Sequence, residues 1–303
     1  MEILTSLLTI FIIIAAGILS RFSGIFQEEH AQALSSFVYY FGLPALFFGK
    51  ISQLDIPSLD PVVVGCILFP TLLILGVLLV FKWFGLLDKE NYVMLSISIS
   101  FGSYAFFGVA FFETFQGGRW LDLSILSASL LGIIGIVTTI LLLEYAAKKE
   151  KGWGYLTKIF TNPLILSILL GLTFSLAKIQ IPFFDNALTL IGHTASGLAI
   201  FVLGMYICDH FTWSVLKKSL GYSLFRMIVL PLAALITIKL FLPGRGDINQ
   251  FLLLEHGMPA AIALEVFAER YQFKVGETAG VVTLTSLLNF PVLTGLYYLS
   301  RLL

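Results

Sequence analysis

The sequence predicts an all-α membrane protein with ten transmembrane helices, and three observations lead there. Of its 303 residues, 58% are hydrophobic and only 12% charged, with a mean hydropathy of +0.97; that balance makes the bilayer the main solvent. The chain divides into ten apolar stretches, each near the roughly 20 residues a helix needs to cross about 30 Å of hydrocarbon. Two of those stretches carry glycine-marked interruptions, Phe101-Gly102-Ser103-Tyr104 and His256-Gly257-Met258-Pro259, which lie 155 residues apart. A broken helix strands backbone N–H and C=O groups, at several kcal/mol each in hydrocarbon unless the break lines a cavity or is buried in protein. Two matched breaks therefore imply one shared site.

The first span, near 3–20, lacks the basic n-region of a signal peptide and reads as a retained helix, ended by the polar run Arg21 to Glu29. The second covers 31–51 and stops at Asp55 to Pro61; the third covers 61–82 and stops at Asp88-Lys89-Glu90. The fourth, 91–113, contains the first break and ends before Gln116-Gly117-Gly118-Arg119, a turn signal. The fifth, 121–146, runs into the lysine-rich linker Lys148 to Lys158. Spans six to eight are placed at 162–178, 186–208 and 218–241, the last two separated by Asp209 to Lys218. The ninth, 248–268, follows Pro243 to Asp247 and holds the second break, and the tenth, 277–300, follows Glu269 to Glu277.

Net charge is zero and no long run of one sign occurs, so nothing reads as a nucleic-acid surface. Cys66 and Cys208 fall within apolar spans and serve as small hydrophobes. Sorting Lys and Arg by alternate sides puts eleven on one side and six on the other. The positive-inside rule then places both termini outside the plasma (inner) membrane and the Ala146 to Thr161 linker in the cytoplasm.

A shift of 155 residues aligns Gly42-Leu43 with Gly197-Leu198, Gly49 with Gly204, Gly102 with Gly257, Ala105 with Ala260 and Phe112 with Phe267. The halves 1–151 and 152–303 thus read as five-span repeats, and the odd number inverts the second copy in the membrane. Inverted repeats with discontinuous helices are the architecture of secondary transporters, which alternate access around a midplane site.

The breaks define that site. Gly102, Ser103 and Tyr104 on one side and Gly257, Met258 and Pro259 on the other are the candidate substrate-binding residues. Tyr104 is expected to open a second half-helix, and Pro259, having no N–H, suits the first turn of another that starts near Met258. Two helix N-termini would then face the midplane and favour a carboxylate, while the opposing C-termini offer carbonyls to a cation. Arg226 is the basic residue deep in a span; it either binds the substrate anion or pairs with Glu255. Glu255, His256 and Glu265 are candidates for coupling or support, because a carboxylate and an imidazole beside a break suit proton movement. His193 reads as a satisfied core histidine, Glu144 as an interfacial charge and Lys50 as a snorkelling side chain. Neither a metal nor a cofactor is expected.

The segment from Pro259 through Ala-Ala-Ile-Ala-Leu-Glu-Val-Phe-Ala-Glu-Arg to Tyr271, followed by Val282, Pro291 and Tyr297-Tyr298, resembles the last two helices of the auxin efflux carrier family. That family holds the plant PIN carriers and their prokaryotic relatives. Gly42-Leu-Pro-Ala-Leu-Phe-Phe48, Thr161-Asn-Pro-Leu164 and the spacing from Arg226 to Pro231 extend the resemblance over essentially the whole chain. It implies ten helices in two inverted repeats with crossed broken helices 4 and 9, a bile acid symporter/NhaA-like arrangement. It further implies a scaffold of helices 1, 2, 6 and 7, a transport domain of helices 3–5 and 8–10, homodimerisation, and elevator-type export of small organic anions. The chain departs from the family pattern at Ser103 and Ala110, where Asn and Pro are usual.

The leading expectation is a secondary transporter of small carboxylates, coupled to protons rather than sodium since no oxygen-ligand cage is visible. A ligand-sensing receptor on the same fold is a second reading. An intramembrane protease is a third, raised by Gly244-Arg-Gly-Asp247; it requires a second aspartate at membrane depth, whereas Asp185 and Asp209 sit at span ends. Neither GxSxG nor HExxH occurs.

Overall fold

The computed structural model describes residues 2–53, 60–147, 161–179, 182–210 and 212–301. Most of the Ala146 to Thr161 linker, including its lysines, and the Lys50 side chain lie outside the described residues.

The described residues are helical, with no β-strand among them and a single isolated bridge. In chain order the α-helices are α1 (Glu2–Phe22), α2 (Glu28–Phe37), α3 (Leu43–Ser52), α4 (Pro61–Trp83), α5 (Lys89–Ser100), α6 (Val109–Thr114) and α7 (Leu121–Ala147). They continue with α8 (Pro163–Ala177), α9 (Pro182–His210), α10 (Trp213–Phe241), α11 (Gly246–Glu255), α12 (Ala263–Tyr271) and α13 (Val275–Ser300). Among the described residues, six runs are long and apolar enough to cross a membrane: Glu28–Gly49, Pro61–Trp83, Leu121–Ala147, Asn186–Cys208, Trp213–Phe241 and Val275–Ser300. Leu7–Phe22 and Pro163–Ala177 are shorter apolar helices. The expected second span is interrupted by a π-helical turn, Val38–Gly42, that joins α2 to α3.

Helix starts follow local chemistry. Asp60 accepts from Val62 N at 2.9 Å ahead of Pro61 at the first position of α4. Asp88 accepts from Asn91 N at 2.8 Å to open α5. Asn162 accepts from Leu164 N at 3.0 Å ahead of Pro163 in α8. Each side chain satisfies an orphan donor of the first turn. Asp60 also accepts from Arg245, and that bond holds its carboxyl below the usual carboxylate range.

The chain forms two compact units. The first comprises Met1–Leu59, Ala105–Ser129 and Leu156–Asp209. In it α1 meets α9 where Gly17 and Gly204 face one another, and Gly171 of α8 lets Ile51 of α3 approach within contact. Asn162 Nδ2 donates to Tyr39 Oη at 2.7 Å, and Phe48 stacks edge-on to Phe174 at 5.1 Å. The second unit comprises Asp60–Tyr104, Leu130–Tyr155 and His210–Leu303. There α10 packs along α13, where Ser219 Oγ donates into the α13 backbone at Glu277 O, 2.8 Å away, beside Gly280. Ile74, Leu78, Ile99, Leu230 and Ala233 form an apolar cluster joining α4, α5 and α10.

His193 does not behave as a core histidine. Its side chain is 59% exposed and lies 3.8 Å from Glu113, which is itself 40% exposed. The buried face of α9 is instead carried by Ala195, Ala199 and Val202, which turns His193 outward. Glu144 sits near the end of α7 and accepts from Tyr271 Oη at 2.6 Å.

Candidate functional site

Both predicted interruptions exist, and they meet within the second unit. After Ser100 the backbone of Phe101 is extended, at φ −111 and ψ 92, which ends α5. Beyond Ser103 a π-helical turn, Tyr104–Gly108, opens the path into α6. At the other break α11 ends in tight turns, with Gly257 N bonded to Leu254 O at 3.0 Å and Met258 N to Glu255 O at 3.2 Å. The chain then runs without helix through the bridge at Ala260 and a turn at Ile262 up to α12. Pro259 is therefore not the first residue of a half-helix; α12 starts at Ala263. The reason is steric and chemical: proline biases the preceding residue toward extended geometry and supplies only a carbonyl.

That carbonyl joins the two breaks. Ser103 N donates to Pro259 O at 2.8 Å and Ala261 N to Phe101 O at 3.0 Å, an antiparallel bridge that pairs Gly102 with Ala260. Three side chains from α10 and α13 satisfy backbone groups that the bridge leaves. Asn289 Nδ2 donates to Gly257 O at 2.9 Å, and Ala260 N donates to Thr285 Oγ1 at 3.0 Å. Arg226 donates from Nε and Nη2 to Met258 O at 3.2 and 3.1 Å. Its Nη1 reaches back to α5, to Ile99 O at 3.0 Å and to Ser98 O, while Nη2 is 3.5 Å from Tyr104 Oη. Burying these groups is tolerable in hydrocarbon because each is paired.

Glycine is required at 102. A Cβ there would run into Arg226 Nη2 and lie 2.5 Å from Cε2 and Cζ of Tyr104. At Gly257 the nearest atoms are side-chain ends, Leu296 Cδ1 at 2.5 Å and Leu293 Cδ2 at 3.0 Å.

The predicted site residues are all buried. Ser103, Tyr104, Arg226, Glu255, His256 and Met258 are each at most 2% exposed, and Glu265, in the first turn of α12, is 6% exposed. The hydrogen bonds of Arg226 run to carbonyls and the Tyr104 hydroxyl. His256 lies between two carbonyls, with Nδ1 2.8 Å from Leu252 O and Nε2 3.1 Å from Ile67 O, three residues before Pro70 inside α4. A neutral imidazole donates one proton and an imidazolium two, so both contacts become hydrogen bonds only when the ring is protonated. The hydroxyls of Ser100 and Ser103 and Oδ1 of Asn289 are buried without a hydrogen-bond partner. Among the described residues, no group of three or more His, Cys, Asp and Glu side chains is placed to hold a metal.

Thr285 and Asn289 are absent from the sequence reading. Their signal is spacing: two polar residues four apart lie on one face of a buried, mostly apolar helix and need polar partners. Asn289→Leu keeps the number of side-chain heavy atoms but strands Gly257 O. The expected loss is about 1–3 kcal/mol, read as a lower melting temperature of purified protein; unchanged melting would remove Asn289 from the scaffold of the break.

The membrane transport protein family matches residues 2–152 and 154–297. The chain belongs to that family, which is auxin efflux carrier-like. An uncharacterized transporter of Methanocaldococcus jannaschii is 27% identical over 301 residues, covering 94% of this chain and 95% of that protein. Family and relative are transporters, not enzymes, and the protease reading of Gly244 to Asp247 falls with them. A multi-pass membrane transporter accounts for the apolar helices and for a broken-helix crossing within the second unit.

Proposed function

We propose that the protein is a secondary active transporter of small organic anions, carboxylates foremost, exporting them across the plasma membrane by an elevator-type movement. The observation that carries this reading is the bridge between Gly102 and Ala260: two discontinuous helices crossing at one buried point are the device by which secondary transporters build a midplane site. Gly102, Ser103, Tyr104, Gly257, Met258 and Pro259 shape the cradle. The unpartnered Ser103 hydroxyl supports a polar ligand, since a buried hydroxyl without a partner is a vacancy in the hydrogen-bond account. Arg226 braces the crossing from behind.

Ten helices in two inverted repeats, a static scaffold of helices 1, 2, 6 and 7, and a homodimer complete the proposal, with both termini outside. Coupling is to protons rather than sodium. His256 supports this because only its protonated ring bonds both flanking carbonyls, and Glu255 and Glu265 are buried carboxyl groups of the same unit.

Thermal melting of purified protein with a panel of mono- and dicarboxylates, amines and sugars across pH tests the reading. A ligand bound only by the folded state stabilises it by about 2.7 kcal/mol at a hundredfold excess over Kd, so at least one acid is expected to raise the melting temperature in a saturable way. The same acid should drive counterflow in proteoliposomes. A panel in which amines or sugars stabilise and no acid does would overturn the substrate class.

A further inference from the structure

The end of α5 aims carbonyl oxygens at a single buried point, and the stretch after α11 adds another. Ser98 O and Ile99 O are among the last carbonyls of α5, which lack an intrahelical donor, and Met258 O comes from the non-helical segment after α11. A helix C-terminus also carries the negative end of its dipole. Ending a helix at this depth calls for a positive charge, and in carriers with discontinuous helices such carbonyls hold the coupling cation. Here the point is filled by Arg226, which is 0% exposed. A guanidinium stays protonated in proteins and carries five N–H donors in a fixed fork. Its nitrogens meet Ser98 O, Ile99 O, Met258 O and Tyr104 Oη, leaving no arm of the fork idle. The missing side chain of Gly102 makes the room for Nη2.

We propose that Arg226 is a built-in cation, occupying the carbonyl cage where an exchangeable monovalent ion would otherwise sit, and so fixing this carrier as independent of bound sodium or potassium at that point. Arg226 is thus a positioning residue and a determinant of ion specificity, not the group that grips the substrate. Removing the side chain vacates a cage shaped for a planar cation, and guanidinium is the ion that fits it best. The proposal deepens the transporter reading, yet its test omits substrate, so a failed carboxylate panel and a failure here are separate results.

Wild type and Arg226→Ala are melted in choline chloride, in sodium chloride, and in choline chloride with guanidinium at tens of millimolar, far below denaturing concentration. Wild type is expected to melt at the same temperature in choline and sodium. Arg226→Ala is expected to melt on the order of 5–10 °C lower in choline, because removing the charge leaves three carbonyls unpaired. Guanidinium should recover most of that loss with saturation, and should not raise wild type. Saturable stabilisation of wild type by sodium or potassium would overturn the proposal, as would an Arg226→Ala protein that melts like wild type in choline or gains nothing from guanidinium. If Arg226→Ala yields no folded protein in any salt, Arg226→Lys and Arg226→Gln decide. Folded, sodium-independent Arg226→Lys with poor recovery of Arg226→Gln is expected, and equal recovery of the two would overturn the role of charge.

Discussion

Gly102→Ala is expected to destabilise the protein by about 1–3 kcal/mol, the usual scale of overpacking, and to abolish transport. One methyl group suffices because the neighbours cannot yield. The added Cβ would occupy the place of Arg226 Nη2 and lie 2.5 Å from two ring atoms of Tyr104, whose side chain is 1% exposed. Moving the guanidinium breaks its contacts with Ser98 O, Ile99 O and Met258 O. Moving the glycine breaks the bridge that joins Ser103 to Pro259. Gly257→Ala is the control, because the atoms it meets first are the methyl ends of Leu296 and Leu293, with Leu254 O at 3.2 Å. Those leucines can change rotamer, so Gly257→Ala should retain partial flux, whereas Gly257→Leu, which adds bulk beyond any rotamer change, should lose it. Melting curves and counterflow on the three proteins rank them, and a Gly102→Ala carrier with wild-type melting and flux would refute the crowding argument.

How much of this was legible in the sequence depends on the residue. Gly102 and Gly257 stood out because a break in an apolar span is conspicuous, and the structure brings both to one crossing. From the sequence Ser103 reads as part of the cradle and Pro259 as the start of a half-helix; in the structure the two are donor and acceptor of one backbone bond. Nothing in either local sequence specifies a partner 156 positions away, so that pairing is a tertiary fact. Arg226 was conspicuous as a buried charge, but the acceptors it uses are backbone carbonyls, which carry no sequence identity at all. The other repeated glycines mislead if taken as equivalent. A Cβ on Gly42 would meet Ala195 Cβ at 3.1 Å, while its counterpart Gly197 has nothing within 4 Å. Shared spacing in the two halves carries no information on the packing of each face.

Gly204 shows the same point from the packing side and supplies the second large effect. Its neighbour is Gly17 of α1, and each glycine's Cβ would run into the other helix's backbone, at Phe201 O for Gly17 and Ile14 O for Gly204. The two Cα atoms would each lie 3.0–3.1 Å from the opposite Cβ, so α1 and α9 touch backbone to backbone. Small residues are what permit such an approach in a bilayer, where association relies on close packing because lipid is as apolar as the side chains. No rotamer change relieves a clash with a carbonyl oxygen, so each of Gly17→Ala and Gly204→Ala must push the helices apart, at the upper end of about 1–3 kcal/mol. The double substitution discriminates this mechanism from two independent strains. Once the first methyl has separated the helices, the second enters space already opened, and the double variant should lose clearly less than the sum of the singles. Melting temperatures of the four proteins close the cycle, and strict additivity would mean that the glycines do not share a contact.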